Sequence, residues 1–270
     1  GYAAWLDEIE ERLASIEIAT QIPAAPFGVN LIVHKTNARL ARDVETTVRH
    51  RVPIVITSLG AVRDVVDAVH SYGGLVFHDI INLRHAKKAV DAGVDGLIAV
   101  CAGAGGHAGL LNPFAFVAEI RQMFDKILVL SGAITNGRQI AAAQMMGADL
   151  AYLGTRFINT RESLAPDGYK QMIVTSKAQD IVLTPAISGV PANFLRASIV
   201  ASGADPDNLQ SSIKLDMSAE AEAKAWRDVW SAGQGVGDIH DCPSAAELCQ
   251  RLIAEYRAAI AGFTAILKPQ

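Results

Sequence analysis

The strongest constraint on this chain is a rhythm. Six short apolar runs recur along its first 160 residues: Phe27–Val33, Val52–Ser58, Leu75–Ile81, Gly96–Cys101, Ile127–Leu130 and Leu150–Ile158. Between them lie segments with helical spacing, Arg39–His50, Val62–Tyr72, Arg84–Ala92, Phe114–Phe124 and Arg138–Met146. The apolar runs are nearly continuous in Val, Ile and Leu rather than alternating, as expected for strands buried on both faces. A strand–helix repeat of roughly 20–28 residues implies right-handed crossovers and a parallel sheet. Gly73, Gly93 and Gly147 each follow a helical segment and can supply its C-terminal cap. Asp91-Ala92-Gly93-Val94-Asp95 and Met146-Gly147-Ala148-Asp149 use one device twice: a helix end, a glycine turn, then an aspartate before the next strand.

Two architectures satisfy this rhythm, a doubly wound open sheet and a (β/α)8 TIM barrel. The barrel count closes if the first two strands are absent from the chain and Ala3–Ile16 is the helix that follows the second. The rhythm breaks after residue 159. Asp167–Asp180 and Ile187–Ser198 read as partly helical, Ala201–Leu215 as polar turns, and Ser218–Ser231 as a helix with Trp226 and Trp230 on one face. Ala245–Gly262 is amphipathic, with Leu248, Leu252, Tyr256 and Ile260 on one stripe. The expected organisation is therefore a barrel from 1–160 plus 244–266, with 161–243 as a lid or small subdomain over its C-terminal face.

Composition narrows the function. Half of the 270 residues are hydrophobic and the net charge is −4, with no long basic run. No nucleic-acid surface is expected. No apolar run reaches the roughly 18–20 residues that span a bilayer, so no membrane partner is expected. The first residues do not form a signal peptide, and the chain opens on Gly1 rather than methionine, as a piece of a longer protein would. Cys101, Cys242 and Cys249 lack disulfide or zinc spacing. This implies a reducing, cytoplasmic location and no metal site. Cys249 reads as a buried small hydrophobe and the Met145-Met146 pair as core filler.

Three loops carry chemistry. Residues 101–109, Cys-Ala-Gly-Ala-Gly-Gly-His-Ala-Gly, set His107 among four glycines directly after a strand. Glycine permits positive φ and close approach of backbone to a ligand, and a titratable ring on such a loop is how α/β enzymes present a catalytic group. Ser131-Gly132-Ala133-Ile134-Thr135-Asn136-Gly137-Arg138 and Gly154-Thr155-Arg156-Phe157 follow the next two strands. In a barrel these are the loops after strands seven and eight, the recurrent phosphate position. Neither is a P-loop or a dinucleotide fingerprint. Arg156 is open between a phosphate contact and a surface ion pair.

With these loops placed, the chain resembles the nitronate monooxygenase family, formerly the 2-nitropropane dioxygenases. The resemblance rests on Pro26-Phe27-Gly28-Val29-Asn30, Gly105-Gly106-His107-Ala108-Gly109, Ser131 to Arg138, and Met146-Gly147-Ala148-Asp149 running into Gly154-Thr155-Arg156-Phe157. It covers residues 1–163 in order, with Gly189–Arg196 and Gly233–Gly237 more loosely. It implies a (β/α)8 barrel holding FMN non-covalently and oxidising nitronates or nitroalkanes with molecular oxygen, with a homodimer as one possible assembly. His107 matches the family's active-site histidine and Asn30 an asparagine beside the flavin. Ser131, Gly132, Ala133, Gly154 and Thr155 match the phosphate loops, and Gly105 and Gly106 approach the ring. His78 is a further cofactor-side candidate, with a satisfied core histidine as the equal alternative. Two departures stand out. Ala133 replaces a frequent glycine, and Asp79 follows His78 where some members carry lysine. A carboxylate at Asp79 would weaken binding of an anionic substrate. The competing readings are an FMN-dependent NAD(P)H reductase of enoyl-thioesters or quinones, and a non-catalytic binder of phosphate ligands.

Overall fold

The computed structural model describes residues 1–34, 36–60, 63–209 and 229–266. The chain forms two compact units, Gly1–Asp79 with Lys87–Leu97, and Ile80–Ala86 with Ile98–Gln270.

The first unit opens with helix α1 (Tyr2–Thr20) and continues β1 (Gly28–Ile32), α2 (Leu40–Arg49), β2 (Ile54–Ser58), α3 (Arg63–His70) and β3 (Leu75–Ile80). The three strands are parallel, with Gly28 opposite Ile54 and Ile54 opposite Leu75. Leu6, Val52, Val55, Val69 and Val76 are fully buried. Helix α4 (Leu83–Ala92) and strand β4 (Gly96–Val100) follow. Within this unit the strand order is β1-β2-β3, each matching one of the expected apolar runs.

The second unit carries β5 (Gly106–His107), α5 (Pro113–Arg121), β6 (Ile127–Ser131), α6 (Gly137–Met145), β7 (Leu150–Tyr152) and α7 (Thr155–Ile158). Then come α8 (Asp167–Thr175), β8 (Ile181–Thr184), β9 (Ala192–Leu195), α9 (Arg196–Ala201) and α10 (Ala245–Ile266). Strands β5, β9 and β8 form a separate antiparallel sheet. Helices α6 and α10 pack backbone to backbone: a Cβ on Gly137 would lie 2.2 Å from the Leu252 carbonyl oxygen.

The repeated aspartate has a structural explanation. Asp95 accepts the Val76 amide at 2.8 Å, and Asp149 accepts the Leu128 amide at 2.7 Å. Each closes the start of the preceding strand at its second residue. Asp149 also takes Arg121 at 2.6 Å. Burial acts to raise its pKa, but the Leu128 amide and Arg121 together hold it below the ordinary carboxylate value. The three capping glycines adopt positive φ: Gly73 at 85°, Gly93 at 93° and Gly147 at 110°.

Several expectations are corrected. Leu150–Ile158 is not one strand. It breaks after Tyr152, and the amides of Phe157 and Ile158 fold back onto the Gly154 carbonyl to make α7. Asp167–Asp180 is helical in part, as expected: α8 stops at Thr175, where the Ser176 hydroxyl turns back to the Met172 carbonyl at 2.6 Å. Ile187–Ser198 is likewise helical only in part, from Arg196, with strand β9 before it and turns over 187–191. Cys249 is exposed, one residue round α10 from the buried stripe of Leu248 and Leu252. Met145 is 53% exposed, because α6 turns its small residues, Gly137, Ala141 and Ala143, inward. Trp226 and most of Ser218–Ser231 lie outside the described residues. Within 229–231, Ser231 forms an isolated antiparallel bridge with Phe194 instead of helix, and Trp230 stacks on Tyr169 at 5.0 Å.

Candidate functional site

In the second unit the glycine-rich loops converge on a cavity of about 230 Å³. One wall is the loop after β4, with Ala104, Gly105 and Gly106. A second is the loop after β6, from Ser131 to Thr135. The turn after β7 adds Tyr152, Gly154, Thr155 and Ile158, and a later loop adds Ser231, Gly233 and Gly235. No lysine or arginine lines it. Among the described residues, the amides of Gly132, Ala133, Ile134 and Gly154 make no backbone hydrogen bond. Backbone N–H groups left open around a concave site make an anion cradle.

The opening of α6 is wired differently. The Thr135 amide goes to Gln139 Oε1 at 2.7 Å, and the Gly137 amide to Glu255 Oε2 at 2.8 Å. Asn136 and Gln139 close a capping box. The open donors are therefore those of the preceding turn. There Ala133 holds φ at 54°, a left-handed conformation that its methyl group disfavours. Gly105 leaves no room for a side chain, since a Cβ would lie 2.8 Å from the Gly233 amide nitrogen. The Gly233 amide donates to the Thr155 hydroxyl at 2.9 Å, and the Gln234 amide to the Gly103 carbonyl at 2.9 Å. These bonds join the 233–235 segment to the other two loops. Asp238 secures it further through Asn136 Nδ2 at 2.7 Å.

His107 sits on β5, opposite Ala192 of β9, and Asn193 Nδ2 donates to the Ala104 carbonyl at 2.7 Å. The ring is half-buried, and desolvation pushes its pKa below the usual imidazole value. Cys101, buried at the head of this loop, has its thiol pushed up to about 12 by burial, which leaves it inert. Arg156 is buried and spent in an ion pair with Asp241 at 2.6 Å, and it does not line the cavity.

Asn30 and His78 belong to the first unit. Asn30 is exposed on β1, and its Oδ1 lies 2.9 Å from the Ser58 hydroxyl. Ser58 also meets Asp79 Oδ2 at 2.6 Å. His78 is buried, with its Nδ1 2.7 Å from the Thr57 hydroxyl. Sequence reasoning did not single out Ser58. Its partners stand 28 residues before it and 21 after it, one strand–helix repeat away on each side.

Comparison with known proteins places the chain in a family. The nitronate monooxygenase family model matches residues 3–255, and the chain belongs to that family. It is 30% identical to a nitronate monooxygenase of Paraburkholderia phytofirmans over 73% of this chain and 58% of that protein. It is 27% identical to a Rhodococcus jostii protein named (3aS,4S,5R,7aS)-5-hydroxy-7a-methyl-1-oxo-octahydro-1H-indene-4-carboxyl-CoA dehydrogenase, over 72% of this chain and 53% of that one. The chain thus spans little more than half the length of these curated relatives. Among solved structures, a nitroalkane oxidase from Streptomyces ansochromogenes is 26% identical with a TM-score of 0.74, covering 97% of this chain and 88% of that one. The chain shares its α/β fold class with this structure.

Proposed function

We propose that this protein oxidises nitronates or nitroalkanes with FMN and molecular oxygen. The observation that carries the reading is the cluster of open amides on the cavity wall, formed by the loops that the family resemblance assigns to the flavin phosphate. The residues present fit that group. Gly132, Ala133, Ile134 and Gly154 would hold the phosphate through backbone N–H groups, and Ser131 and Thr155 add hydroxyls. Gly105 and Gly106 keep side chains away from the ligand's path. When bound, the flavin supplies the two-electron redox chemistry.

His107 is the proposed base. A nitroalkane must lose its α-proton before it can be oxidised, and an imidazole kept neutral by burial is ready to take that proton at neutral pH. A nitronate has already lost it, so for this substrate His107 orients rather than abstracts. The described residues 161–209 and 229–243 act as cover. They supply Ser231, Gly233 and Gly235 to the cavity wall and β9 to the strand that carries His107.

The test is His107→Asn assayed on both substrate forms. Nitroalkane turnover should fall by roughly 10²–10⁴-fold, the scale of a lost general base, and nitronate turnover by less than about tenfold. Equal losses would remove the base assignment. Anaerobic mixing separates the reaction class: flavin bands that bleach with a nitronate support oxidation. Bleaching only with NADPH would favour the NAD(P)H reductase reading.

A further inference from the structure

Asn30, Ser58 and Asp79 lie on successive parallel strands. Ile32 pairs with Ser58, and Thr57 with His78, so the next step sets Ser58 beside Asp79. The Ser58 hydroxyl is flanked by two oxygens, Asn30 Oδ1 at 2.9 Å and Asp79 Oδ2 at 2.6 Å. A serine hydroxyl has one proton, and an amide oxygen has none. Ser58 can donate to one neighbour only, so the other must bring its own hydrogen.

Two wirings meet that count. In one, the Asn30 amide turns end for end, its nitrogen donates to Ser58, and Ser58 donates to an ionised Asp79. In the other, Asp79 is protonated and donates to Ser58, which donates to Asn30 Oδ1. The two present opposite faces to a ligand. The first leaves an amide oxygen outward, an acceptor. The second leaves the two N–H bonds of Asn30 Nδ2, which donate.

We propose that Asp79, Ser58 and Asn30 form a proton-dependent relay: with Asp79 protonated it runs from Asp79 through Ser58 to Asn30 and turns the Asn30 amide N–H pair outward as the donor for an anionic substrate. Asn30 already faces Ser58 with its oxygen. Asn30 is the exposed member and Ser58 is buried, so a ligand meets the relay at the amide. Strands β1, β2 and β4 carry no ionisable side chain, and His78 on β3 is engaged with Thr57. Among the described residues, burial acts to raise the Asp79 pKa and the Ser58 hydrogen bond opposes it, with a net upward shift. An ionised Asp79 would repel an anion, whereas a neutral one does not. That the anion is a nitronate rests on the function proposed above; the wiring does not.

The deciding experiment is an infrared difference spectrum between the wild type and Asp79→Asn, followed across pH. The wild type should show the C=O stretch of a protonated carboxylic acid, shifted in D2O, absent in Asp79→Asn and displaced in Ser58→Ala. A carboxylate signature in its place at every pH above the ordinary carboxylate range overturns the proposal. Steady-state kinetics give the second arm. The wild-type KM for a nitronate should rise about tenfold, some 1.4 kcal/mol, as pH rises through the loss of the acid band, with kcat moving less. In Asp79→Asn that rise should be gone, because the amide keeps donating to Ser58. A KM that stays flat while the acid band vanishes would overturn the role given to Asn30. If the acid band is present and no variant turns over nitronate, the relay stands and the proposed function falls.

Discussion

The loop cavity and the strand-end cluster recruit polarity in different ways. The cavity uses backbone: open amides on turns, no cation in its lining, and glycines where a Cβ would collide. The strand-end cluster uses side chains, three polar groups joined by two hydrogen bonds across neighbouring parallel strands. A backbone site has fixed charge and no titration, so its response to pH is flat. A side-chain relay has a proton to lose, so its donor pattern depends on pH. One molecule thus carries a backbone cluster whose polarity is fixed and a side-chain cluster whose polarity follows a proton.

The largest effect should come from filling the backbone site. Gly105→Ala places a methyl group 2.8 Å from the Gly233 amide nitrogen and 3.0 Å from the Thr155 hydroxyl. Overpacking of this kind costs about 1–3 kcal/mol. FMN affinity should fall roughly 10–100-fold, read by fluorescence titration, and the melting temperature should fall by several degrees, about 2–4 °C per kcal/mol. Undiminished affinity would show that the ligand does not need this approach.

A middle-sized effect separates the two regions by pH. The folded-state pKa of Asp79 is raised, so its contribution to stability is full below the ordinary carboxylate value and is lost as pH rises through the folded value. The wild type should therefore lose melting temperature on the alkaline side of that value, and Asp79→Asn should not. The gap should be on the order of 2–4 °C, about 1 kcal/mol for a chain of this size. Parallel curves for the two proteins would mean that Asp79 does not hold the proton.

The smallest effect concerns Ala133. At a φ of 54° its methyl group is strained, and Ala133→Gly should relieve it. The expected gain is about 1 kcal/mol in denaturant unfolding, offset in part by the added freedom of the unfolded chain. A clear loss of stability would mean that the methyl group packs favourably there.

The backbone site was the more legible of the two in sequence. Small residues at strand–helix junctions mark where amides are left open, and Ser131 to Ala133, Gly154 and Thr155 came together as their spacing implied. The strands were legible for the same reason, because continuous apolar runs leave few alternatives. The side-chain cluster was only half legible. Asn30 and Asp79 stood out by resemblance and by departure from it, but Ser58 ends an ordinary strand, and only register brings it between them. The antiparallel sheet was not foreseen. Strand β5 has two residues inside a glycine run, and β8 and β9 are four-residue strands separated by Pro185, Gly189 and Pro191. No periodicity can be read from segments so short. Cys249 and Met145 were misplaced because residue type, rather than the helix face, decided their expected burial.

The most direct test of the central claim is a paired titration of the protein with FMN and with riboflavin, which differ by the phosphate alone. If open backbone amides grip the phosphate, FMN should bind at least about 100-fold more tightly, and the ratio should stay constant with pH wherever the phosphate charge does. Equal affinity for the two would contradict the account, because the cavity would then have no use for its amides.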